Sequence, residues 1–158
     1  MLYRGIWAER GSNRLIRPHD HDVTQADGDL YFNAPGTASV RWEGAGATVL
    51  VEWEGWANSA EFAAMLDAGV RALKDHRGSR LLADCRRQKV LSPADQDRAD
   101  REWLPRALAG GLKQFAVVLP ESGLAGMNLM DRLKEVPNAK LQVGYFATVE
   151  QAREWLAR

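Results

Sequence analysis

Beyond residue 28 the apolar and polar positions fall into short stretches of recognisable period. LYFN and TASVRWE are rich in β-formers and are separated by the turn signal Ala34-Pro35-Gly36. ATVLVEWEG follows Gly44-Ala45-Gly46, whose glycines suit a hairpin turn. These stretches predict an antiparallel opening to a sheet. In SAEFAAMLDAGVRALKDHRG the residues Phe62, Met65, Leu66, Gly69, Val70 and Leu73 recur at helical spacing. That pattern predicts a helix capped by Ser59, which has no acidic capping-box partner at Phe62, and stopped by Gly78. SRLLADCRR reads as a buried strand ending in charge. A helix from about Pro93 to Leu108 follows, with a kink or new first turn expected at Pro105 and an end at Gly110-Gly111.

LKQFAVVLP predicts a second buried strand, and SGLAGMNLMDRLKEV a third helix with Met127, Met130 and Leu133 at helical spacing. KLQVGYFA predicts the last strand. VEQAREWLAR predicts the last helix, docking through Val149, Ala152, Trp155 and Leu156. The strand–helix alternation implies an α/β fold: a mixed sheet with an antiparallel opening hairpin, then parallel strands with flanking helices. Residues 1–28 keep neither period and read as an N-terminal extension, leaving 29–158 as the domain.

Composition narrows the function classes. The 21 basic and 21 acidic side chains cancel, so no net field draws the chain to nucleic acid or an anionic membrane. No run of apolar residues is long enough for a membrane span, and the start has no leader-like apolar core. With Cys85 the single cysteine, no intramolecular disulfide forms. A cytoplasmic protein without a cofactor is the expectation, its oligomeric state open.

Several residues carry candidate chemistry. Ser92-Pro93-Ala94-Asp95 has the chemistry of a helix start: a hydroxyl cap, a proline lacking its N–H, and an acid near the positive end of the dipole. Capping accounts for it fully, and phosphorylation or anion binding is the functional alternative. Arg86, Arg87 and Lys89 lie just upstream. Asp84 and Cys85 stand where the strand ends, the edge at which α/β folds often bind ligands. A reactive Cys85 thiol would need its pKa lowered by Arg86 and Arg87; a small buried cysteine is the simpler reading.

His19-Asp20-His21-Asp22 lacks zinc-site spacing and reads as a polar loop, so no metal is expected. Among six tryptophans, Trp56 brackets the turn before the first helix and Trp103 lies in the second. Together with Met127 and Met130 they are candidates for an apolar cleft, with ordinary core packing as the alternative. No G-x-S-x-G motif or metal-protease helix is present, and His76 is the one histidine in the domain, which speaks against a hydrolase built on Ser92.

The segments LLADCRRQKVLSPADQ, EWLPRALAGGLKQFAVVLP and FATVEQAREWL resemble the SpoIIAA-like branch of STAS domains over about residues 30–158. The matching features are Asp84 at a strand end, the Ser-Pro-x-Asp helix start and Trp103-Leu104-Pro105-Arg106. The resemblance implies a STAS-like mixed sheet flanked by helices and a non-catalytic role. It also implies a binding switch by phosphorylation near Ser92, although the tandem serine and glycine of that motif are replaced by Leu91-Ser92-Pro93-Ala94. Two roles follow as expectations: binding a protein partner or small ligand around Asp84, Arg86, Ser92, Asp95 and helix 124–134, or carrying an apolar small molecule or lipid.

Overall fold

The computed structural model describes residues 28–89, 92–125, 127, 132–136 and 140–158. His19, Asp20, His21, Asp22 and Met130, with nearly all of the expected extension, lie outside the described residues. The described elements are β1 (Leu30–Ala34), β2 (Ala38–Glu43), β3 (Thr48–Trp53), α1 (Ser59–His76), β4 (Arg80–Asp84), α2 (Pro93–Arg98), a π-turn (Ala99–Trp103), α3 (Leu104–Ala109), β5 (Gln114–Val118), α4 (Glu121–Ala125), β6 (Leu133–Val136), β7 (Leu141–Phe146) and α5 (Val149–Leu156). The strands form one seven-stranded sheet in the order β1-β2-β3-β4-β5-β7-β6. The β1–β2 and β2–β3 pairs are antiparallel, β3–β4, β4–β5 and β5–β7 are parallel, and β6 returns antiparallel on β7. The mixed α/β architecture is therefore the one the periodicity predicts.

One predicted helix is overturned at its end. Among the described residues, the stretch expected to be helical through Val136 holds the short α4 and, at Leu133–Val136, the edge strand β6 instead of helix. Spacing of three and four among a few apolar residues fits a helix by chance as easily as by design. Pairing decides the matter: Leu133 lies opposite Gly144, and a Cβ added there would stand 3.1 Å from a Leu133 methyl.

The caps of α1 also differ in detail from expectation. Its N-cap is Asn58, one residue before Ser59. The Asn58 side chain accepts from the Glu61 amide at 2.8 Å, while the Glu61 carboxylate accepts from the Asn58 amide at 3.0 Å. This is a complete capping box, missed because the count began at the serine. At the other end Arg77 takes the left-handed position at φ 53°, and Gly78 donates its N–H to the Leu73 carbonyl at 2.9 Å.

The sheet separates two apolar layers. Phe62, Met65, Ala68, Gly69, Val70, Ala72 and Leu73 of α1 are buried against one face, joined by Trp103 and Ala107. At about 1.5–3 kcal/mol for each large side chain removed from water, this face contributes most of the burial energy. On the other face α5 buries Ala152 and Leu156 over Leu50, Leu82, Ala116 and Val118. Arg153 anchors α5 to β2 through a two-pronged pair with Glu43, at 2.7 and 3.1 Å. Strand alternation sends Cys85 and Ala83 toward α1 and Asp84 toward the α5 side.

Candidate functional site

Between α1 and the sheet lies an apolar cavity of about 30 Å³, bounded by Val51, Trp53, Phe62, Met65, Leu66, Gly69, Leu81, Ala83, Cys85, Trp103 and Phe115. Its origin is legible in the residue sizes. Rigid aromatic rings surround two positions, Gly69 and Ala83, that offer little or no side chain. A Cβ added at Gly69 would meet nothing nearer than a Leu81 methyl, at 3.9 Å. Close packing normally fills such a space, since each atom facing a void loses its dispersion partners. A mid-helix glycine also costs about 1 kcal/mol relative to alanine. The unfilled space and the mid-helix glycine in its wall therefore each cost stability.

Trp103 forms part of the wall because of the backbone beneath it. Pro105 would bring its ring against the Arg101 carbonyl in a regular helix. The chain meets this with the π-turn at Ala99–Trp103, in which the Leu104 N–H reaches back to the Ala99 carbonyl. The expected interruption at Pro105 is thus present, as a widened turn rather than a new helix start. Trp103, 3 % exposed, donates its indole N–H to the Leu66 carbonyl at 3.1 Å and meets Phe115 edge-on at 5.9 Å between ring centres. Leu66 is the half-buried member of this lining, so the cavity approaches the surface on its side.

The remaining candidates take up different places. Asp84 and Arg86 form a closed pair on the α5 side: Arg86 donates through Nε at 2.9 Å, Nη2 at 2.8 Å and its backbone N–H at 3.2 Å. Ser92 and Asp95 lie instead toward α1. The Ser92 Oγ accepts from the Asp95 amide at 3.1 Å, and the buried Asp95 carboxylate accepts from the Ser59 hydroxyl at 3.0 Å. The four residues thus form two separate pairs, one on each side of the sheet. Trp56 is 57 % exposed beside the β3–α1 turn, whereas Met127 packs half-buried against the main core.

Cys85 does not have the environment of an activated thiolate. Burial, and after it the Asp84 charge, pushes its thiol well above the usual range, because the low-dielectric wall disfavours the anion. Arg86 is occupied by Asp84 and does not offset this. Among the described residues no three His, Cys, Asp or Glu side chains gather as metal ligands, and no helix is long and apolar enough to cross a membrane.

Sequence reasoning missed Gln88. Its side chain is buried at 7 % exposure, yet neither Oε1 nor Nε2 has a hydrogen-bond partner among the described residues. Leaving such a group unpaired costs about 1–3 kcal/mol. Nothing in RRQK signals this, because a glutamine among cations reads as solvated.

Comparison with protein-family models, curated proteins and solved structures finds no match to this chain. The chemistry of the residues themselves must therefore carry the functional reading.

The cap at Ser92 supplies a first test. Ser92→Ala should destabilise the protein by about 1 kcal/mol in denaturant unfolding, and Ser92→Asp should retain most of that, since both side chains accept from the same amide. An unchanged midpoint in Ser92→Ala would show that the 3.1 Å contact is not holding the helix start.

Proposed function

We propose that this chain is a non-catalytic, STAS-like binding module, cytoplasmic and regulatory in use, whose ligand is a small apolar molecule held beneath α1. The observation that carries the reading is the apolar cavity, with a mid-helix glycine, Gly69, in its wall where a methyl would fit. The space of about 30 Å³ accepts only a methyl-sized group, so a longer ligand would enter past Leu66 with α1 displaced from the sheet. Such a displacement would reach the Ser59–Asp95 contact, and through it the exposed start of α2. A protein partner would then sense the ligand at the exposed surface bearing Ser92, or at the exposed Trp56 in the turn before α1.

Gly69→Ala separates this function from stability. The added methyl should stabilise α1 by about 1 kcal/mol through helix propensity. Filling about 30 Å³ should contribute roughly a further 0.7 kcal/mol at ~24 cal/mol per Å³. Native mass spectrometry of gently purified wild-type protein should show a small bound apolar molecule, and the Gly69→Ala protein should melt higher and be empty. A wild-type protein that arrives empty and takes up no xenon would sink the proposal.

A further inference from the structure

The apolar lining defines the body of a ligand but leaves Gln88 without an explanation. Two backbone contacts locate this residue. Its N–H donates to the Cys85 carbonyl at 3.2 Å, closing a turn whose ends lie within about 7 Å. The next residue, Lys89, donates to the Gly55 carbonyl at 3.2 Å, which fastens the segment beside the end of β3. Cys85 and Trp53 are both walls of the cavity. Gln88 therefore lies one turn beyond the wall residue Cys85, outside the lining itself, with its carboxamide buried rather than in water, where a ligand longer than the methyl-sized space would reach it. A carboxamide offers one acceptor oxygen and two donor hydrogens, and among the described residues neither end finds a partner. Buried polar groups are almost always paired, so an unpaired pair of this kind marks a missing partner.

We infer that Gln88 recognises the head group of the ligand, an uncharged amide or hydroxyl that both donates and accepts, at one end of an otherwise apolar molecule. This rests on the apolar-pocket reading above and adds specificity to it. A fully ionised carboxylate would answer only the Nε2 donors and leave Oε1 unpaired, so a neutral head fits better. A hydrocarbon without a head would leave the whole carboxamide desolvated.

The test uses two probes, pentane and pentanamide, titrated into the full chain and followed by the methyl resonances of Met65 and Leu66. Gln88→Met keeps the length of the side chain and removes the polar atoms; it should melt higher than wild type because an unpaired group has gone. Wild type should bind pentanamide about tenfold more tightly than Gln88→Met does, with pentane binding equal or tighter in the variant. Pentane binding with the same pentanamide affinity in both proteins would overturn the head-group role while leaving the pocket standing. Failure of both probes to bind either protein would overturn the pocket reading and this inference together. A Gln88→Met protein less stable than wild type would show that the carboxamide already has its partner in the fold, which also overturns it.

Discussion

Trp103→Ala should lower the unfolding free energy by about 3–5 kcal/mol, among the largest single effects available in this chain. The indole fills the space between α1 and β5, meets Phe115 at 5.9 Å and bonds the Leu66 carbonyl at 3.1 Å. Its removal deletes all three contacts and enlarges the cavity, since the surrounding walls relax only partly. Equilibrium urea unfolding would measure the loss. The natural comparison is Trp56→Ala, where the ring is 57 % exposed and a change within about 0.5 kcal/mol is expected. Similar losses in the two variants would contradict the buried position of Trp103.

Gly111→Ala should cost about 2–4 kcal/mol, for two reasons that act at one atom. The residue has φ 113°, a conformation that L side chains rarely adopt, and an added Cβ would lie 2.9 Å from the Gly78 carbonyl oxygen. The close approach is built into the fold. The turn after α1 and the turn after α3 run side by side, with the Lys113 and Gln114 amides both donating to the Ser79 carbonyl, at 2.8 and 3.0 Å. Pushing Gly111 away from Gly78 would strain the start of the β4–β5 pairing, where Arg80 faces Gln114. Gly36→Ala isolates the backbone part, because Gly36 has φ 81° with nothing within 4 Å of the added atom. Thermal melts should show a clearly smaller loss at Gly36; equal losses would mean the contact with Gly78 carries no energy.

Much of the scaffold could be read from local pattern. The apolar spacing of α1 was legible because a long amphipathic helix repeats its signal: Phe62, Met65, Gly69, Val70 and Leu73 are all buried as the spacing requires. The continuous apolar strands β4 and β5 were equally plain, since strands covered on both faces need no alternation. The Ser92 cap was readable for the same reason, as it involves residues three apart.

The site was far less legible. Trp103 stood out as an aromatic, but its neighbours in the cavity come from β3, α1, β4 and β5, and no linear pattern lists them together. Gly69 looked like one more small residue on a helix face. Its meaning comes from its place in the cavity wall, where an added Cβ would just touch a Leu81 methyl. Asp84 and Arg86 looked continuous with Ser92 and Asp95, yet alternation along β4 turns Asp84 to the α5 side, while Asp95 in α2 is held by Ser59 at the start of α1.

The sequence by itself determined the α/β class, α1 and α5, the parallel centre of the sheet and the cap at Ser92. Each depends on residues a few positions apart, and the chain states that information locally. Only the tertiary structure decided that Leu133–Val136 is an edge strand, that Cys85 is a high-pKa thiol in a cavity wall, and that Gln88 is buried with both ends unpaired. Strand pairing, desolvation and voids are properties of segments brought together from far apart, and their energies are set by neighbours that no local stretch contains.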